Sequence, residues 1–600
     1  MSEEQNNKTT WIDSLKSYFD FKLMSLLTPF FKQYKGLLCV SILLMVGSEV
    51  LSVLTPIFII KGIDDYIIGK DSEGLMWVIK WLIVFEIGSF VMRVCANISV
   101  AYFGQKMLYS LRMRLFNKAL HLSNDYYDRV PTGTTLTHIT NDVEAVRQFV
   151  SSGLVSVFTS LLKVILIVAI MFVINIWLAI TTLVCIPIFI LLTYWFKTRI
   201  RDGFRTVRQA NSDINTQMIE SLNGHREIAL FQNREPSCKK FDKSNFSYYD
   251  AYKDIVKAYA VYLPMVEVIT HISTLVVMLI AHFGRGGLIT AGQIFVFNTL
   301  INRFFRPLRD LAEQFNTFQS AMAAMERILI LEKEPITVKD HQNNIENLNK
   351  DHIGSIVFDK INFAYKQETP VLNELTFSIK EHEKIALVGS TGAGKSTINH
   401  LLNRLYDFDG GQITINNKGL REYSLNDLRS MIATIPQDVF LFTGSILDNI
   451  RLFDEKVSEE EVSATIDSLQ IADFINSFPG GLHYEISESG SSLSNGEKQL
   501  IAFARAFLKK PGLIIFDEAT ANVDTRTEKR IEVALDILLK DRSSIIIAHR
   551  LSTIERVDKI FYLHKGQVSE EGTHAELYSK ENGQYRKLWE MQALSVESLT

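Results

Sequence analysis

Cysteine is scarce in this chain. The four present among 600 residues, Cys39, Cys95, Cys185 and Cys238, lie far apart. They form no CxxC pair and no metal-ligand spacing, which argues against a disulfide framework and against zinc. A dominant charge of one sign is also missing. There are 63 Lys and Arg against 67 Asp and Glu, a net charge of −4, so nothing marks nucleic acid as a partner. The opening residues MSEEQNNKTTWIDSLK are polar and acidic and do not read as a signal peptide. Membrane targeting is expected to come from internal segments.

Long apolar runs are abundant. The chain is 47% hydrophobic with a mean hydropathy of +0.10, and the apolar residues gather in its first half. Stretches of about 20 apolar residues suit helices that cross a bilayer. Six are expected, near 35–60, 75–103, 149–174, 176–196, 258–282 and 288–312. The third and fourth meet at Asn175 and should form a tight hairpin. Two long connections, near 104–148 and 197–257, hold roughly eighteen Lys and Arg, against about three in the short ones, which places the long connections in the cytoplasm. Both keep helical periodicity, as in Tyr109–Leu122 and Ile214–Phe231. Two readings fit them: solvated helical hairpins, or helices that reach a second domain. The soluble pattern in the last 250 or so residues favours the second.

After Glu332 the composition changes. A polar linker over 331–353 precedes strand-like IVFDKINFAY, KIALVG, GLIIFDEA and SSIIIAHR, separated by helical stretches. That alternation indicates a parallel sheet with crossover helices. Gly389-Ser390-Thr391-Gly392-Ala393-Gly394-Lys395-Ser396, continuing into Thr397, fits G-x-x-x-x-G-K-[ST] between a strand and a helix, the context in which backbone N–H groups cradle phosphate. Lys395 is expected to reach the β- and γ-phosphates of ATP, and Ser396 to ligate Mg²⁺. Asp517 and Glu518 end the apolar strand Leu513–Phe516. Asp517 is placed to hold Mg²⁺, and Glu518 to act as general base on the attacking water.

In this order the motifs resemble the ABC transporter family, specifically half-transporters of the type IV exporters, over nearly the whole chain. The resemblance implies that Tyr365, in FAY, stacks on adenine. It implies that Gln437, in IPQD, links Mg²⁺ and the water to the membrane domain, and that His549, in IIAHR, contacts the γ-phosphate. Ser494 and Gly496 fall in Leu493-Ser-Asn-Gly-Glu497, the place of the signature LSGGQ, and Asp524 falls in the loop crossing the dimer interface. His382 stands where the family has a turn glycine. Asn124–Asp128 with Thr132-Gly133, and Gly224–Phe231 within 222–231, resemble the two coupling segments that dock onto ATPase domains.

The resemblance also implies a dimer, because each ATP site combines the phosphate loop of one subunit with the signature of the other. Here Asn495 replaces a glycine and Glu497 a glutamine, and Glu488-Ser489-Gly490 lacks the usual arginine. Ser494-x-x-Glu497 reads as a capping box, yet Glu497 sets negative charge where phosphate should approach. With Lys395, Gln437, Asp517, Glu518 and His549 intact, the chain resembles the competent half of a heterodimeric exporter. A homodimer is the alternative.

The expected fold is therefore a membrane all-α domain of six helices with long cytoplasmic extensions, followed by a soluble α/β P-loop ATPase domain. Its divisions are a cytoplasmic segment over 1–34, a transmembrane domain over 35–330, the linker 331–353, a nucleotide-binding domain over 354–585 and a tail over 586–600. The expected function is ATP-hydrolysing export of amphipathic drugs or lipids by a multi-pass protein of the bacterial inner membrane. Alternatives are a homodimeric lipid flippase, or a nucleotide-gated channel, which would usually carry extra regulatory segments. Glu49, Glu86, Arg93, Lys163, Glu267, Arg303 and Arg306 lie in or near spans. Charge there is costly and faces protein or a water-filled path. The three glutamates are expected to face the path.

Overall fold

The computed structural model describes residues 25–283, 289–340, 352–366, 368–487, 490, 492–517, 525–547 and 554–597. The chain divides into two compact units, residues 1–119 with 133–333 and residues 120–132 with 334–600.

The first unit is helical. Its main helices are Lys35–Lys61, Ser72–His121, Leu154–Ile174, Ile176–Asn223, Arg234–Phe283 and Ala291–Lys333. Among the described residues, five helical segments are long and apolar enough to cross a membrane. The sixth expected span belongs to Ala291–Lys333. That helix forms but is not one of the five; Gln293, Asn298 and Asn302 as well as Arg303 and Arg306 punctuate its apolar residues.

Local chemistry explains the helix boundaries. At the hairpin, Asn175 is extended, and its side-chain oxygen accepts from the N–H groups of Trp177 at 3.0 Å and Leu178 at 3.2 Å. It ends one helix and caps the next. Asp64, within Gly62–Ile67, caps a distant helix start, accepting from the Gly292 N–H at 2.8 Å and from the Thr290 hydroxyl. The buried Met171, Leu178, Phe196, Tyr262, Phe297, Ile301 and Phe304 form a shared core. Glu49 is buried and pairs with Lys163 at 3.3 Å, which lowers the cost of charge within an apolar span. Glu86 and Glu267, by contrast, are exposed.

The second unit is built on two sheets. The strands are β1 Ser355–Lys366, β2 Thr369–Lys380, β3 Lys384–Gly389, β4 Gly410–Ile415, β5 Lys418–Gly419, β6 Ile432–Ile435, β7 Gly444–Ser445, β8 Glu485–Ile486, β9 Leu513–Asp517, β10 Ser543–Ile547, β11 Lys559–His564 and β12 Gln567–Gly572. One sheet runs β12-β11-β3-β10-β9-β6, parallel except at the β12 edge. Its inner strands β9 and β10 are almost wholly buried, with apolar runs Leu513–Phe516 and Ile545–Ile547, as expected of strands covered on both faces. A second, antiparallel sheet runs β2-β1-β4-β5. Between β2 and β3, His382 has φ +57° and donates its N–H to the Ser543 hydroxyl at 2.9 Å. The left-handed backbone accounts for a glycine preference at this turn.

Candidate nucleotide site

Parallel α/β sheets bind ligands beyond the carboxyl ends of their strands. In this sheet Gly389 ends β3 opposite Leu563, and Asp517 ends β9 opposite Ile547. The loop after Gly389 leads into the helix Lys395–Leu402. Gly389, Gly392 and Gly394 have φ +147°, +82° and +100°. A Cβ at Gly389 would collide with the Leu563 carbonyl oxygen, and one at Gly394 with the Leu372 side chain. The loop is thus shaped by conformations and clearances that only glycine provides. Gly394 caps the helix in a left-handed conformation and no side chain caps it, so the first-turn N–H groups suit an anion.

Lys395 is buried, and its ammonium donates to the carbonyls of Gly389 at 2.8 Å and Ser390 at 3.0 Å. Burial pulls its pKa below the ordinary lysine value, and the Asp517 carboxylate opposes that shift. The pair of opposite charges at the strand ends is the arrangement expected for phosphate with a hard cation. Ser396 and Gln437 are exposed, and Thr397 is buried behind the loop. Glu518, Asp524 and His549 lie outside the described residues; in sequence they follow β9 and β10.

The helix Asn495–Leu508 starts at Ser494 with a closed capping box. Ser494 donates its N–H to Glu497 Oε2 at 2.7 Å, and Glu497 donates its N–H to the Ser494 hydroxyl at 3.4 Å. Gly496 is buried in that first turn. Deeper in the helix, the Arg505 guanidinium donates to Asn449 O at 2.6 Å, Asn449 Oδ1 at 2.9 Å and Phe440 O at 2.8 Å. Burial lowers its pKa to about 10. Arg505 ties the segment that follows Gln437 to the signature helix.

Tyr365 is 42% exposed at the end of β1. Its hydroxyl donates to Thr397 Oγ1 at 3.2 Å and is hydrogen-bonded to His400 Nδ1 at 2.8 Å. Tyr406 packs edge-on against Tyr365, with ring centres 5.1 Å apart. The motif does not point to His400 and Tyr406, although His400 lies one turn after Thr397 and so shares its helix face. Burial pushes the His400 imidazole below its ordinary range and the Tyr365 phenol above it.

A parallel sheet whose strand ends carry a glycine phosphate loop, a buried lysine and a strand-end aspartate defines a P-loop ATPase unit. Together with the long apolar helices ahead of it, this site places the chain in the ABC transporter family. Residues 38–308 match the family described as the ABC transporter transmembrane region, and residues 372–521 the family described as ABC transporter. The chain is similar to the Bacillus subtilis uncharacterized ABC transporter ATP-binding protein YknV, 34% identical over 94% of this chain and 93% of that protein. The probable multidrug resistance ABC transporter ATP-binding/permease protein YheH of the same organism is 33% identical over 81% of this chain and 72% of its own length. The ATP-dependent lipid A-core flippase of Escherichia coli is 32% identical over 92% and 94%. The solved structure of a bacterial Atm1-family ABC exporter with ATP bound matches with a TM-score of 0.76 at 26% identity, covering 93% of this chain and 98% of that one. The protein is a multi-pass integral membrane protein with a cytoplasmic ATPase domain that couples ATP hydrolysis to transport. As an ABC exporter it works as a dimer.

Proposed function

We propose that this chain is the catalytically competent half of a heterodimeric exporter that moves amphipathic molecules, drugs or lipids, out of the cytoplasm or inner leaflet. The observation that carries the cargo class is a polar groove of about 460 Å³ in the helical unit. Asn97, Arg147, Ser156, Thr159, Ser160 and Lys163 line it, with Val100 and Val155 among them. Several of these polar residues recur along Leu154–Ile174, an otherwise apolar helix. A polar wall within an apolar span suits cargo that has both characters, and intramembrane polarity of this kind marks transport paths. The names of the flippase and multidrug relatives agree with that class.

The membrane domain extends over 35–330 with six spans, and the nucleotide-binding domain over 354–585. Within the latter, Gly389–Thr397 cradle the phosphates and Tyr365 stacks on adenine. Ser396, Gln437 and Asp517 supply oxygen donors for Mg²⁺, which when bound neutralises charge on the phosphates. Glu518 holds the attacking water as base, and His549 faces the γ-phosphate. Ser494 and Gly496 serve the partner's nucleotide. Asn495 and Glu497 weaken that second site, which supports unequal sites in a heterodimer.

Reconstitution in sealed vesicles tests the function. ATP-dependent movement of a fluorescent amphipathic cation or of a fluorescent phospholipid is expected, and it should stop in Lys395→Ala. Ion conductance gated by ATP, without movement of either probe, would contradict the reading and favour a channel.

A further inference from the structure

The aromatic cluster around Tyr365 reaches the first coupling segment. Tyr406 packs on Tyr365, on Phe363 at 5.9 Å and on His400 at 5.7 Å between ring centres. Its hydroxyl donates to Asp128 Oδ2 at 2.5 Å, and Asn124 addresses the same phenol. Asp128 sits in the short helix Asn124–Arg129, just beyond the end of Ser72–His121. All of the residues in this cluster belong to the second unit.

The short helix has other ties that do not involve the nucleotide side. Ser123 Oγ accepts from the N–H groups of Thr337 at 3.1 Å and Val338 at 3.2 Å. Thr337 donates its hydroxyl to Asp125 at 3.0 Å, and Arg129 pairs with Glu334 at 2.7 Å. These bonds hold the helix in place whether or not Asp128 is bonded. The Asp128–Tyr406 bond differs from these in joining the helix to the ring that packs on Tyr365.

We propose that Tyr406 and Asp128 are positioning residues that report nucleotide at Tyr365 to the first coupling segment. A base stacked on the exposed face of Tyr365 fixes a ring already held at its hydroxyl by His400 and Thr397. Any shift of that ring presses on Tyr406, whose hydroxyl is committed to one carboxylate. A phenol–carboxylate bond is directional and stronger than a neutral one, so it passes the displacement to Asp128 and to the chain leading into Ser72–His121. Burial and the neighbouring carboxylate both push the Tyr406 phenol far above its ordinary pKa, which keeps its proton in place as the donor. The relay rests on the proposed role of Tyr365 in binding adenine.

The test uses the complete transporter in lipid nanodiscs. Hydrogen exchange over 62–74, in the other unit, is measured with and without ATP, alongside ATP affinity and the KM and kcat of ATPase. In Asp128→Ala, ATP affinity and KM are expected to stay within about twofold of the original, while ATP-dependent protection over 62–74 falls about tenfold. Asp128→Asn keeps an acceptor oxygen and should restore part of it. Tyr406→Phe should lose the same protection, and the double variant should lose no more than either single one, since both act through one bond. Unchanged protection in Asp128→Ala, or additive losses in the double variant, would overturn the relay while leaving the exporter reading intact. If the unaltered protein shows no ATP response over 62–74, although Tyr365→Ala still weakens ATP binding, the relay fails and the adenine assignment stands. If Tyr365→Ala leaves ATP binding unchanged, the adenine assignment fails and takes the relay with it.

Discussion

Two helices of the ATPase unit begin at the motifs proposed to contact phosphate, and they begin in opposite ways. Lys395–Leu402 starts at Gly394, left-handed and without a side-chain cap. Its first-turn N–H groups and the buried Lys395 remain for an anion. Asn495–Leu508 starts at Ser494 with both arms of a capping box closed. There the Glu497 N–H is bonded to its own cap, and Glu497 adds a negative charge that the helix dipole welcomes and a phosphate does not. A helix N-terminus is therefore not an anion site merely by existing. The capping residues decide how many of its donors are left for a ligand and what charge stands beside them.

The largest effect should come from the chemistry attached to the open end. Glu518→Gln is expected to lower ATP turnover about 10²- to 10⁴-fold, the range of a lost general base, with nucleotide binding retained. Phosphate release and filter binding measure the two quantities, and near-normal turnover would break the assignment of the open end as the hydrolysing one. Next in size, Lys395→Ala removes the charge at the loop and should weaken ATP binding about 10- to 100-fold, as expected for lost charge-assisted hydrogen bonds. Titration with a fluorescent ATP analogue reads it. An unchanged affinity would mean that the uncapped backbone binds phosphate alone.

Much of this contrast can be read from local patterns. The phosphate loop is contiguous, and its glycine spacing stands between a strand and a helix. Ser494-x-x-Glu497 likewise announces its capping box, because both partners lie within one turn. The features that local patterns miss join distant residues. Tyr406 and Asp128 are 278 positions apart, and no local pattern pairs them. The sequence suggests a span in the helix Ala291–Lys333, yet its interspersed asparagines and arginines leave it outside the strongly apolar set. Glu49 is expected from sequence to face a path, whereas its partner Lys163 lines the groove and Glu49 is buried beside it. Hydropathy counts charges but does not say which are paired.

Smaller effects probe the closed end. A glutamine also fits the third position of a capping box, so Glu497→Gln separates charge from capping. With Asn495→Gly it should raise turnover at the weak site about two- to fivefold, the worth of one charge near a helix end, provided the partner's own carboxylate is intact. A steady-state ATPase assay in which the other site is silenced would show it, and no gain would shift the cause from charge to geometry. Smallest in its effect on activity, Ser494→Ala opens the box and should cost the helix about 1 kcal/mol. Faster hydrogen exchange in the first turn of Asn495–Leu508 reports that loss. Exchange left unchanged would show that the tertiary packing of Gly496, Leu500 and Phe503 holds this helix end without its cap.

If this chain contributes an open, competent nucleotide end and a closed, impaired signature end, an active particle has two unequal sites. Nucleotide trapped by vanadate and counted per purified particle distinguishes unequal sites from equal ones. The chain is expressed alone and together with a second half-transporter. The expected result is activity only in the mixed particle, with ADP trapped at one site and ATP retained at the other. A fully active particle of this chain alone, with two equivalent sites that both trap ADP, would contradict it.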